Sequence, residues 1–196
     1  MPRAPRMTLK QALDIDINDF MELSGKELKA ATKALADVAN KRLTRLRKAG
    51  VPSPAARDVW TSGGKFMIGG KSEGELRTEF LRAKMFLESP TSTVTAAKAA
   101  RKKVMTGLGG QGIQINEDIY NKLLKTYMDN KDSNPAITAR TMKYQLMRET
   151  ENLVTPPDMD IEDIANRVYS EINSQFAPGG SQYEGTSRYF DLDEDL

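Results

Sequence analysis

Cysteine and histidine are both absent from this 196-residue chain. Their absence excludes disulfide frameworks, thiol nucleophiles, Cys/His zinc sites and any catalytic triad built on imidazole. Aromatic residues make up only 7%, so any core is modest. No stretch approaches the roughly 18 consecutive apolar residues of a membrane span. The first ten residues, MPRAPRMTLK, lack the apolar core of a signal peptide. The expectation is a cytosolic protein with no membrane contact. What is present, 39% hydrophobic and 29% charged residues, fits one or two small domains better than a wholly disordered chain.

The net charge of +2 conceals a division along the chain. Residues 1–105 hold 21 Lys/Arg against 11 Asp/Glu, whereas residues 106–196 hold 8 against 16. A basic half attracts polyanions and an acidic half repels them or binds something basic. The arrangement is open to two partners or to two halves folded on each other.

The opening is a cationic arm, with Pro2 and Pro5 against helix and Arg3, Arg6 and Lys10 as charges. Asp14-Ile15-Asp16-Ile17 fits either a short edge strand or an acidic turn before a helix. Ser24 and Glu27 form a capping-box pattern that opens a helix running to Gly50 and the breaker Val51-Pro52-Ser53-Pro54. On it Leu28, Leu35, Ala39 and Leu46 share one face, and Lys26, Lys29, Lys33, Lys41, Arg45 and Lys48 gather opposite, with Arg42 near the apolar edge. Such a stripe can track a phosphate backbone by releasing condensed counterions. It serves equally as a solvated helix face.

Residues 58–71, DVWTSGGKFMIGGK, show two apolar runs parted by Ser62-Gly63-Gly64 and predict a small β-hairpin. Ser72 and Glu75 cap a second helix carrying Leu76, Phe80, Ala83 and Leu87 as far as Ser89-Pro90. A third, alanine-rich helix over residues 94–105 ends in Lys98, Arg101, Lys102 and Lys103, which suit the negative end of a helix as well as they suit DNA. Gly107 to Gly112 reads as a helix stop and linker. Further helices follow, capped by Asn116 and opened by Asn134-Pro135. After Pro156-Pro157, Asp160 caps a stripe of Ile161, Ile164, Val168, Ile172 and Phe176. The expected organisation is an arm and acidic segment over 1–23 and a basic helical DNA-associated region over 24–106. A Gly-rich linker over 107–115, an acidic helical region over 116–176 and a flexible acidic tail over 177–196 complete it. The fold class is mainly α.

Gly107-Leu108-Gly109-Gly110-Gln111-Gly112 spells GxGxxG, but after a cationic helix and not after a strand. Lys65 to Ser72 nearly spells a Walker A loop, yet Lys65 replaces its first Gly and Phe66-Met67-Ile68 fill the cradle. The pairs Asp14/Asp16, Asp158/Asp160 and Asp191/Asp193 are the only hints of metal-assisted chemistry. Capping accounts for the second pair and a mobile tail for the third, and Asp14/Asp16 leaves a small magnesium-dependent nuclease as a remote reading. Trp60 and the tyrosines at 120, 127, 144 and 169 read as packing residues sooner than as a stacking platform. No catalytic constellation emerges, and no cofactor is implied.

The opening MPRAPR, the cationic Ala39-Asn40-Lys41-Arg42-Leu43, the FLESPTSTVTAAK segment after a helix and the closing FDLDEDL resemble the terminal proteins of small tailed phages that prime their own DNA replication. That resemblance implies a basic N-terminal part on DNA, a middle part docked on the phage DNA polymerase, and a C-terminal hydroxyl that receives the first nucleotide. DNA contact would then fall to Arg3, Arg6 and the lysine-rich helix with Arg42 included, together with Lys98, Arg101, Lys102 and Lys103. Tyr183, with Ser181 and Ser187 as alternatives, would offer the hydroxyl from the Gly-rich stretch near the acidic end. The chain would be the polymerase's substrate and not an enzyme, working in the host cytoplasm and carried into the virion on DNA ends. The competing reading is a virion or packaging component, or a host-directed inhibitor whose acidic half enters a partner's basic groove.

Overall fold

The computed structural model describes residues 6–23 and 25–177. Among these residues the fold is all-helical apart from one isolated antiparallel bridge between Gln114 and Val154. The described chain divides into two compact units, with the boundary between Val94 and Thr95.

The first unit is built on α3 (Gly25–Ala49) and α5 (Glu73–Glu88), its main helix pair. The helical periodicity identifies the buried faces: Leu28, Leu35, Ala39 and Leu46 of α3 and Leu76, Phe80, Ala83 and Leu87 of α5 are all buried. Gly50, at φ +64°, takes the left-handed conformation that ends α3. Ser24 lies outside the described residues, so its cap is not part of this description.

Two short helices precede α3. Thr8 and Gln11 form a reciprocal capping box on α1 (Leu9–Leu13). The Asp14–Ile17 segment resolves as a turn, with Asp16 accepting from the Asp19 amide at 2.9 Å to cap α2 (Ile17–Glu22). Phe20 of α2 stacks on Phe80 at 4.8 Å, and the Arg77 guanidinium donates to the Phe20 and Leu23 carbonyls.

The predicted hairpin over 58–71 does not form. Ser53 caps α4 (Pro54–Thr61), with Pro54 in the first turn where a missing N–H costs nothing. The first apolar run is therefore the inner side of a helix, burying Ala55, Ala56 and Val59. The second run is a loop with one anchor, Phe66. The Asn40 side chain donates to the Phe66 carbonyl at 2.8 Å and accepts from its amide at 2.9 Å, doing for this loop what a partner strand would do.

The second unit holds α6 (Val94–Gly109), α7 (Glu117–Asp129), α8 (Pro135–Met147), a 3₁₀ turn (Thr150–Asn152) and α9 (Ile161–Phe176). α9 packs mainly on α8, and Asp160 caps it as expected. Ile164, Val168, Ile172 and Phe176 join Val104, Leu108, Ile119, Leu123, Leu124 and Met142 in one core.

Residues 107–115 are not a linker. α6 continues to Gly109, the Ile113 amide returns to the Leu108 carbonyl at 3.0 Å, and Ile113 and Ile115 are buried. A Cβ at Gly107 would collide with the Glu171 carboxylate. Gln111 donates to that carboxylate at 2.7 Å while accepting from Arg167 at 3.0 Å. Gly107 permits the close approach of α9, a role that reads like flexibility in the letters alone.

Tyr120 is 1% exposed and its hydroxyl has no hydrogen-bond partner. Burial pushes the phenol well above its usual range, with Arg101 opposing weakly. Ionisation is therefore disfavoured in the folded state, and the unfolded chain loses this proton first as pH rises past about 10. Stability should fall with alkalinity from that pH upward. Tyr120→Phe is expected to stabilise the protein by about 1 kcal/mol at neutral pH and to weaken the alkaline loss, both measurable by urea unfolding across pH.

Candidate nucleic-acid interface

The cationic side of α3 divides into two stretches. Lys26 and Lys29 are exposed near its start, and Lys33 is held by Asp37 at 2.9 Å, which offsets its charge. Further along, Lys41, Arg45 and Lys48 recur at i, i+4 and i+7 and line one shallow groove with Asp37, Asn40 and Thr44. Lys41 and Lys48 are exposed and pair with no described carboxylate. From Lys41 to Lys48 the helix rises about 10 Å, or three phosphate steps of one DNA strand.

The groove keeps its shape because the opposite side of the same helix turns is fixed. Leu43 and Leu46 are buried, and Thr44 bonds back to the Asn40 carbonyl at 3.0 Å. Asn40 also clamps the Phe66 loop, a role the sequence does not announce.

Arg42 belongs to the interior and not to this surface. It is 3% exposed, donating to Ser92 Oγ at 2.9 Å and to the Leu87 carbonyl at 3.4 Å. Its place beside the apolar stripe was the sequence signal. A guanidinium there meets the carbonyl end of α5, where the helix dipole favours a cation.

The second cationic cluster lies in the other unit. Lys98, Arg101 and Lys102 line a groove with Met105, Thr106 and Glu117. Arg101 pairs with Glu117 at 3.2 Å, whereas Lys98, Lys102 and Lys103 are exposed. Because α6 runs to Gly109, these residues sit mid-helix and do not serve its C-terminal dipole. Arg6 is exposed; Arg3, Ser181, Tyr183 and Ser187 lie outside the described residues.

Sequence reading overlooked Arg47, whose guanidinium lies 5.3 Å from the centre of the Trp60 ring beside a cleft formed by Leu46, Gly50, Val51 and Pro52. No spacing rule links positions 47 and 60, since the turn into α4 alone brings them together. The other chemical candidates are occupied structurally: Asp16 and Asp160 cap helices, Gly107 lies inside α6, and Phe66 fills the would-be phosphate cradle with a buried ring. Among the described residues no three carboxylates converge on a possible metal position, and no helix is long and apolar enough to cross a membrane.

The unit boundary redraws the charge map. Residues 1–94 carry 17 Lys/Arg against 11 Asp/Glu, residues 95–177 carry 11 against 11, and residues 178–196 carry 1 against 5. The expected acidic helical region over 116–176 holds 11 Asp/Glu against 7 Lys/Arg, and the four cations of α6 balance that excess within residues 95–177. Comparison with protein-family models, curated proteins and solved structures finds no match to this chain. The fold defines a helical protein of two units, the first net cationic, with a lysine- and arginine-lined groove on its longest helix.

Arg42→Gln should cost about 2–4 kcal/mol of stability by leaving buried acceptors unsatisfied. Lys41→Gln, one position away but exposed, should stay within about 0.5 kcal/mol of the parent. Denaturant midpoints of the two variants measure this contrast.

Proposed function

We propose that this chain is a DNA-associated protein that holds the phosphate backbone along α3 and serves as the primer protein of a phage DNA polymerase. The observation that carries the DNA contact is the alignment of Lys41, Arg45 and Lys48 along one groove of a helix anchored from below. Three cations spread along about 10 Å of one anchored helix line up with the phosphates of a single strand, and the affinity comes from released counterions. The contact reads backbone charge, so it is sequence-independent.

The priming role rests on the resemblance in the N-terminal, central and C-terminal motifs. In it the polymerase supplies the chemistry and this chain supplies a hydroxyl, Tyr183 first, with Ser181 and Ser187 as alternatives. The hydroxyl oxygen attacks the α-phosphorus of an incoming nucleoside triphosphate, forming a phosphodiester to the side chain. Pyrophosphate leaves, and the hydroxyl proton passes to a base on the polymerase. A DNA grip at one end of the chain and an acceptor hydroxyl near the other divide the labour as a primer requires.

Duplex DNA binding should weaken linearly in log affinity against log salt. Replacing Lys41, Arg45 and Lys48 together with Gln should reduce the slope by up to about 2.7. Binding that does not respond to salt, or a slope that the triple variant leaves unchanged, removes the DNA contact. For priming, incubation with the phage polymerase, magnesium and labelled nucleotide should yield a covalent adduct that Tyr183→Phe abolishes. Persistence of the adduct in that variant moves the role to Ser181 or Ser187, and no adduct with an active polymerase refutes the primer reading.

A further inference from the structure

Trp60 is the one tryptophan of the chain and the largest apolar residue of α4, yet that helix does not take it into the core. Ala55, Ala56 and Val59 are buried, whereas Trp60 is half-buried. It lines a cleft at the end of α3 with Leu46, Gly50, Val51 and Pro52. Leu46 and Val51 are buried and give the cleft an apolar floor. Arg47 is exposed beside it, with its guanidinium 5.3 Å from the centre of the Trp60 ring.

The cleft and the cationic groove lie on the same helix. Asn40 and Thr44 line the groove, and Arg47 continues their row at i, i+4 and i+7. From Thr44 to Arg47 the helix rises about 4.5 Å, close to one phosphate step of a strand. A strand held by Lys41, Arg45 and Lys48 therefore brings its next nucleotide to the cleft.

The chemistry of the cleft selects its occupant. An apolar side chain of a protein partner would use Leu46, Val51 and Trp60 but gain nothing from the exposed Arg47 and Lys48. A nucleotide uses all of them: the base offers a π-face to the Trp60 ring, and the phosphate beside it meets the cations. In a duplex each base is covered on both faces by its neighbours, so only an unpaired base can reach the ring. We propose that the Trp60 cleft takes an unpaired base of single-stranded DNA, with Arg47 on the adjoining phosphate. The proposal rests on the DNA contact along α3 and adds to it a preference for an open strand over a paired one.

The single tryptophan reports on its own site. The full chain is titrated with oligothymidylate, with a blunt duplex of the same length and with inorganic polyphosphate while tryptophan emission is followed. Binding of each DNA is measured separately by the anisotropy of a labelled copy. Oligothymidylate at saturation should quench the emission, whereas saturating duplex or polyphosphate should leave it nearly unchanged. Trp60→Ala should weaken oligothymidylate binding about five- to a hundredfold and duplex binding less than about twofold, with an unchanged thermal melt showing that the fold is intact. Arg47→Gln should weaken oligothymidylate binding about three- to tenfold. If Trp60→Ala melts early, the titration of the unaltered chain decides alone. Unchanged emission with bound oligothymidylate overturns the proposal and leaves the groove standing. Equal quenching by duplex or polyphosphate, or equal loss of both DNA affinities in Trp60→Ala, also overturns it. Failure of both DNAs to bind removes the groove and the cleft together.

Discussion

The first unit depends on one buried cation. Arg42 sits on the side of α3 that carries Leu35, Ala39 and Leu46, and an unsatisfied guanidinium there would oppose folding strongly. The end of α5 and the turn after it resolve that conflict by offering the Leu87 carbonyl and the Ser92 hydroxyl. The contact ties α3 to the end of α5 beside the buried Leu43 and Leu46. On the other side of the same helix turns Lys41 and Lys48 are exposed and Arg45 is half-buried. The candidate interface and its anchor thus share the same turns of α3.

The second unit shows the opposite economy of charge. Its cations and carboxylates are equal in number, and several are spent on local structure: Arg101 with Glu117, Lys122 with Glu149, and the Arg167, Gln111 and Glu171 chain that seats α9 beside Gly107. What it leaves unsatisfied is apolar area on α8. The chain therefore presents two kinds of surface: a cationic groove along α3, and an exposed apolar stripe of Ile137, Tyr144 and Met147 on α8. Half of the acidic excess of residues 106–196 resides in residues 178–196, and the other half is balanced by the four cations of α6.

The helices that bury one side were legible because their periodicity and caps agree. Ser72, Asn116, Asn134 and Asp160 start helices where their side chains predict, and the apolar stripes of α3, α5 and α9 become core. Reading failed where the deciding contact was distant in sequence. Nothing near Phe66 reveals that Asn40 substitutes for a strand, and nothing near Gly107 reveals that Glu171 arrives there. Arg42 reads as lying near the apolar edge of its helix, but the partners that hold it in the interior, Leu87 and Ser92, are 45 and 50 residues away. Of the candidate site, the groove on α3 was visible as a stripe, whereas the Arg47 and Trp60 pair was not, since only the tertiary path brings α4 back to the end of α3.

Lysine acylation footprinting in the presence of duplex DNA tests the central claim, that nucleic acid lies along the anchored groove of α3. Lys41 and Lys48 should show the strongest protection, while the exposed Lys125 of the second unit reacts as it does in the free protein. Protection centred on Lys98, Lys102 and Lys103, with Lys41 and Lys48 still fully reactive, would contradict the account.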